Sequence, residues 1–242
     1  MLKTVTFTGI DISTDPAELA AIQRDYPFAE FGMLIAHDWR ELPEWNEPLS
    51  HRFPTPEILE KYETLGLNLS VHICRSLSRA LVLSGDWSDV RALLRGRLSL
   101  FRRVQLNDVS DMRVAPEHWK LAVPEELEQI ILQQRSCDQI ALLNDALAAA
   151  EAGYETGSIV AEIDASAGTG LYNAAMGTLR MPFVGYAGGL CPENVVEFVQ
   201  KLEADENVSD YWIDMESRVR ENNWFSARLI REVCEKVAPF AG

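Results

Sequence analysis

Eight times along the chain an apolar or β-branched run gives way to a helix-forming stretch, and that alternation limits the fold more than any other feature. Runs that read as strands lie near 4–10, 28–36, 68–74, 102–107, 129–135, 158–166, 182–188 and 210–216. Helix signals fall between them. "STDPAELAAIQRDY" offers Ser13, Thr14 or Asp15 as an N-cap with Pro16 in the first turn, and "PTPEILEKYETLG" repeats the device with Thr55 and Pro56 and stops at Gly66. "SCDQIALLNDALAAAEAG" starts at Ser136 or Asp138 and stops at Gly153. "CPENVVEFVQKLEA", from near Pro192, and "NWFSARLIREVCEKVA" are amphipathic by spacing. Alternation of this kind implies parallel strands joined by right-handed crossovers. Eight units in 242 residues is the size of a (β/α)8 barrel, so the expected class is α/β, a single TIM-barrel domain over residues 1–242. In an open doubly wound sheet a glycine-rich phosphate turn should follow the first strand, and "TFTGIDIST" has one glycine.

Composition narrows the partners. The formal charge of −15 disfavours nucleic acid and anionic membrane surfaces. No apolar run approaches the ~18 residues of a membrane span. "MLKTVTFTGID" lacks an apolar signal core, so the expected compartment is the cytoplasm. Cys74, Cys137, Cys191 and Cys234 are widely spaced and form no CxxC pair, which fits reduced thiols better than structural zinc.

Strand parity then sorts side chains. The helix-facing side of a barrel strand must be apolar, so polar residues in a strand point inward. In "RRVQLN", Val104 and Leu106 face the helices, which turns Arg103, Gln105 and Asn107 inward. The same rule turns in Thr6 and Thr8, Glu30, Ser70 with His72 and Cys74, and Gln133. It also turns in Glu162 with Asp164 and Ser166, and Asp214 with Glu216. A barrel interior is ordinarily filled with Val, Ile and Leu. Unpaired burial of such polar groups costs roughly 1–3 kcal/mol each. Either they form an internal network, the reading open for Glu30, Arg103 and Glu162, or they bind something. The second reading is favoured for His72, Asn107, Asp164, Asp214 and Glu216, which fall late in their strands, where barrels of this kind place chemistry.

Gly188 and Gly189 follow the seventh strand and precede a helix. That is where barrels often bind phosphate through backbone N–H groups. The eighth strand brings Ser217, Arg218 and Arg220 nearby. A strand-to-helix turn that needs positive φ is the plainer account of the two glycines.

At these residues the sequence resembles the phosphoribosylanthranilate isomerase family. "AGGLCPENV" followed by "YWIDMESRV" looks like its last two strand–helix units. "IDASAGTG" resembles its sixth strand, "TFTGID" stands where it has Cys-Gly-Ile-Thr, and "HRFPTPEIL" resembles its Arg-aromatic element after the second strand. The likeness runs through nearly the whole chain in order and is most specific over 182–219. It is closer to an isomerase-like branch than to the biosynthetic enzyme. The resemblance implies a barrel holding a phosphorylated sugar derivative, with Asp164 as general acid and Gly188 and Gly189 at the phosphate. Thr8, Arg52, Asn107, Glu216, Ser217 and Arg218 complete the expected binding set.

Two departures qualify that implication. The family's first-strand cysteine base is matched by Thr8, whose hydroxyl is a very poor base at neutral pH. Asp11 and His72 are the candidates to replace it. In the eighth-strand serine pair the first member is Glu216, and the following glycine is Arg218. The leading expectation is therefore an isomerase-type acid–base enzyme acting on a small, phosphorylated substrate. One alternative is an inactive ligand-binding or sensor barrel. The other is a metal-assisted lyase or hydrolase using His72, Asp164, Asp214 and Glu216. No local ligand spacing supports a metal, and no metal or other cofactor is expected. The long second loop, with Trp39 and Trp45, reads as a lid or as a contact between copies, and a homodimer is one option left open.

Overall fold

The computed structural model describes residues 1–36, 52–53, 56–154, 157–166, 170–173 and 177–242. The expected lid, with Trp39 and Trp45, lies outside them. Eight strands form a closed parallel barrel: β1 (Leu2–Thr8), β2 (Ala29–Ile35), β3 (Leu69–Ile73), β4 (Arg103–Leu106), β5 (Gln129–Gln134), β6 (Ile159–Asp164), β7 (Phe183–Ala187) and β8 (Asp210–Met215). Each expected strand is present within a few residues of its expected ends. Closure comes from β1 pairing with β8, where Thr6 stands opposite Asp214. This is the (β/α)8 architecture that the alternation implied.

The helices follow the sequence less evenly. Helix α1 (Pro16–Asp25) starts at Asp15, whose carboxylate accepts from Ala17 N. The expected second helix is a 3-10 segment, Pro56–Lys61. Two helices that the pattern did not announce, α2 (Ser76–Ser84) and α3 (Ser88–Leu93), connect β3 to β4. Neither has a side-chain N-cap, so the local signal is missing. Between β4 and β5 the helical part is only the 3-10 turn Pro116–His118. Helix α4 (Ala141–Glu151) begins after the expected Ser136 or Asp138, with no side-chain cap. Helix α5 (Val195–Glu203) starts three positions after Pro192, and α6 (Ala227–Val237) is capped by Ser226, which accepts from Leu229 N. A two-residue hairpin pair, β9 (Arg220–Glu221) and β10 (Trp224–Phe225), sits between β8 and α6.

Outside the barrel the strands are apolar. Val5, Phe7, Val71, Val104, Leu106, Leu132 and Ile213 are fully buried against the helical layer. Inside, side chains stack along the axis. Trp212 is fully buried, and its ring occupies the space a Cβ on Gly185 would need, only 2.2 Å away. Phe183 packs on that ring at 4.7 Å between centroids, and the Arg103 guanidinium lies over it, also at 4.7 Å. Arg103 pairs with Glu30 through two hydrogen bonds, Nε to Oε2 at 2.9 Å and Nη2 to Oε1 at 2.5 Å, and Thr6 Oγ1 donates to Glu30 Oε1 at 3.0 Å. Burial opposes charge on Glu30, but Arg103 outweighs it and holds the carboxyl below its usual range. Glu30 and Arg103 thus form the internal network, and Glu162 does not join it by hydrogen bonding. Among the described residues no helix is long and apolar enough to cross a membrane, and the four cysteines are free thiols.

Candidate active site at the C-terminal mouth

Above the Arg103–Glu30 layer the inward side chains stop packing and enclose a cavity. It offers about 60 Å³ of room within an empty volume of about 490 Å³ that includes the open mouth. Its wall brings together Thr8, His72, Asn107, Asp164, Gly188, Gly189, Asp214, Glu216, Ser217 and Arg218. Ten residues expected near one another from parity or from position thus meet at one place. Gln105, Gln133, Glu162 and Ser166 also line it. Parity turned these four inward, but nothing local marked them as part of a site.

The centre is a chain of hydrogen bonds. Thr8 Oγ1 donates to Asp214 Oδ1 at 2.8 Å and lies 3.3 Å from His72 Nε2, which is also 3.3 Å from Ser70 Oγ. Gly32 makes this possible, because a Cβ there would lie 2.6 Å from Thr8 Oγ1 and 3.0 Å from His72 Nε2. Burial drives His72 down to about 3, more than the nearby Glu30 charge restores. The ring is therefore neutral at pH 7, and its 3.9 Å approach to Asp214 Oδ2 is not an ion pair. Burial pushes Asp214 up to about 8. The Thr8 hydrogen bond opposes this, while the charges of Glu216, Glu30 and Asp164 add to it.

Asp164 ends β6. Its Oδ1 accepts from Ser166 N at 3.0 Å and Ser166 Oγ at 2.7 Å, and its Oδ2 accepts from Gln133 Nε2 at 3.1 Å. Asn107 Oδ1 accepts from Gln105 Nε2 at 3.1 Å. Arg52 does not line the cavity but reaches its rim, where Nη1 donates to Glu216 Oε1 at 2.9 Å. That pair offsets the carboxylate the eighth strand has gained. Arg218 is exposed, and among the described residues it makes no hydrogen bond or ion pair.

Asp11 corrects the sequence-based expectation. It is fully buried and does not line the cavity. Its Oδ1 accepts from Ser13 N, Ser13 Oγ and Thr14 Oγ1, and its Oδ2 accepts from Arg220 Nη2 at 2.7 Å and Phe225 N at 2.8 Å. Arg220 also donates to Gly9 O at 2.7 Å. A carboxylate so engaged ties the first loop to the β9–β10 hairpin and has no free lone pair directed at a substrate. Arg220, expected with Ser217 and Arg218 beside the glycine turn, is instead drawn to Asp11, 209 residues earlier in the chain, and does not line the cavity.

The two glycines have a structural cause. Gly188 has φ +124°, and a Cβ there would lie 2.9 Å from Ser166 N. Gly189 has φ +68°, and its Cβ would lie 2.2 Å from Tyr172 N. The main chain following β6 is what comes so close. Asn194 secures the turn, accepting from Cys191 N at 2.9 Å and donating to Gly189 O at 3.1 Å. The later start of α5 separates its N-terminus from the glycines by this turn. Among the described residues no three His, Cys, Asp or Glu side chains are set to hold a metal, so the acids and His72 do not form the cluster required by the metal-assisted reading.

A closed parallel barrel with its polar cavity at the C-terminal mouth defines the class as a (β/α)8 barrel. The solved structures it resembles include the phosphoribosyl anthranilate isomerase from Thermococcus kodakaraensis, at 14% identity and a TM-score of 0.51. They also include the N-(5'-phosphoribosyl)anthranilate isomerase from Pyrococcus furiosus, at 15% identity and a TM-score of 0.54. Each alignment covers 98% of this chain and 99% of the other. At that identity the likeness concerns the fold. No protein-family model matches the sequence, and no curated protein matches it.

Proposed function

We propose that the protein is a cytoplasmic isomerase-type enzyme that moves a proton within a phosphorylated sugar derivative, with Asp164 as general acid and Asp214 as base. The observation that carries this reading is the Thr8–Asp214 hydrogen bond beside a cavity that Asp164 also lines. Thr8 cannot itself accept a proton from carbon, but it orients a carboxylate that can. His72 is too weakly basic for that task, and Asp11 faces away from it. In a ring-opening isomerisation Asp164 gives a proton to the ring oxygen as the C1–O bond breaks. Asp214 then takes the proton from C2, and the resulting enol becomes the ketone as its oxygen gives up a proton and C1 gains one. A base ionising near 8 is a capable proton acceptor, although only roughly a tenth of it is ionised at pH 7. Arg218 and the main chain at Gly188 and Gly189 would receive the phosphate, with Ser217 beside them. The structural neighbours' substrate, phosphoribosylanthranilate, is the first to assay with purified protein. Turnover that is lost in Asp164→Asn supports the reading. No turnover, with sugar phosphates still binding, supports instead a binding or sensor barrel, the reading that Thr8 in place of cysteine favours.

A further inference from the structure

Glu162 is a buried acid of the cavity with one unused oxygen. It is 1% exposed, lines the cavity, and its Oε2 has no hydrogen-bond partner among the described residues. Its other oxygen, Oε1, accepts from Gln105 Nε2 at 2.9 Å. The same Nε2 donates to Asn107 Oδ1, so both amide hydrogens of Gln105 are committed and its orientation is fixed. Oε1 must therefore stay an acceptor, and a proton on Glu162 has to reside on Oε2. Burial, reinforced by the negative charges of Asp214 and Asp164, pushes this carboxyl well above its ordinary range, against Arg103 and the Gln105 hydrogen bond. Glu162 lines the cavity and no described group meets Oε2, so a neutral acid there needs an acceptor from the ligand that fills the cavity.

We propose that Glu162 is a ligand-positioning residue whose Oε2 hydroxyl donates a hydrogen bond to an uncharged oxygen, hydroxyl or carbonyl, in the sugar portion of the ligand. The carboxyl groups of Asp164 and Asp214 line the same cavity, and whichever of them is ionised disfavours an anion at this point. Arg218, the cation among the described lining residues, serves the anionic end instead. The inference rests on the sugar-phosphate reading above and sharpens it: the ligand carries one anionic end and one neutral, hydroxylated end.

The test uses ribose 5-phosphate and inorganic phosphate as probes, by titration calorimetry with the wild-type protein, Glu162→Gln and Glu162→Leu. Glutamine retains a donor opposite Gln105, and leucine retains bulk without one. Glu162→Leu should weaken ribose 5-phosphate by about tenfold, the worth of one neutral hydrogen bond, and leave inorganic phosphate unchanged. Glu162→Gln should stay within a few-fold of wild type. Wild-type affinity in Glu162→Leu overturns the proposal. So does an equal loss in both variants, which would mean that charge rather than a donor is required. Infrared spectra at pH 7 give a readout independent of binding. The wild-type minus Glu162→Gln difference should contain a protonated carboxyl band, and its absence also overturns the proposal. If neither probe binds the wild-type protein, the sugar-phosphate reading falls and takes this ligand with it.

Discussion

Thr8 Oγ1 donates to Asp214 Oδ1 across the seam where β1 closes on β8. The bond favours the ionised carboxylate and partly offsets the burial that raises Asp214. Thr8→Val should therefore raise the ionisation of Asp214 further above 8, by about one unit, while Thr8→Ser should leave it near its present position. Carboxyl-carbon NMR titration reads this directly. If Asp214 is the base, the rising limb of kcat/KM moves with it. An unmoved titration in Thr8→Val would detach the threonine from this carboxylate.

Asp164 is held by Ser166 and Gln133; an amide in its place can keep its oxygen for Ser166 N and Oγ and gives up the bond from Gln133 Nε2. Asp164→Asn should reduce turnover by about 10²–10⁴-fold, the usual contribution of a placed general acid. Sugar-phosphate affinity, measured separately by calorimetry, should change little. A parallel loss of binding would make Asp164 a binding group.

Asp11 and Arg220 form a buried pair with side chains 0% and 1% exposed. Asp11→Ala leaves the guanidinium without its partner and should cost about 3–5 kcal/mol in urea denaturation. Any loss of activity should follow the loss of folded protein. A stable but inactive Asp11→Ala would return Asp11 to the list of catalytic residues.

Gly189→Ala combines positive φ with a Cβ 2.2 Å from backbone, whereas Gly66, at φ +60°, has open space around it. Both substitutions pay strain of about 1 kcal/mol. Gly189→Ala should cost at least twice that in thermal unfolding, since main chain cannot step aside as a side chain can. Equal melting temperatures would show that the 171–172 segment does not pack there.

Glu162 makes stability depend on pH. Its folded-state ionisation is raised above the ordinary value of 4.5. The stability of the neutral form is therefore fully present below that value and is lost as pH rises toward the folded one. Glu162→Gln lacks this loss. The unfolding free energy of the variant relative to wild type should grow as pH rises above 4.5, by at most about 1.4 kcal/mol per pH unit, until the folded carboxyl ionises. A constant difference would mean that Glu162 is ionised in the folded protein.

Period-two patterning made much of the barrel legible. Val104 and Leu106 had to face the helices, so Arg103, Gln105 and Asn107 had to face the axis, and the structure places them there. The same reasoning turned His72, Asp164 and Asp214 toward one mouth. Helices α2 and α3 were not legible, since neither begins with a capping side chain.

What the sequence determined by itself was which face of each strand is wet, because the alternation of side chains along a strand is a local property. Which inward groups touch was settled by barrel closure. Residues 8 and 214 meet because β1 pairs with β8, and Asp11 is occupied because Arg220 returns to it from the far end of the chain. Hydrogen bonding and charge act over a few ångströms of space, and only the closed sheet converts separations of more than 200 residues into such distances.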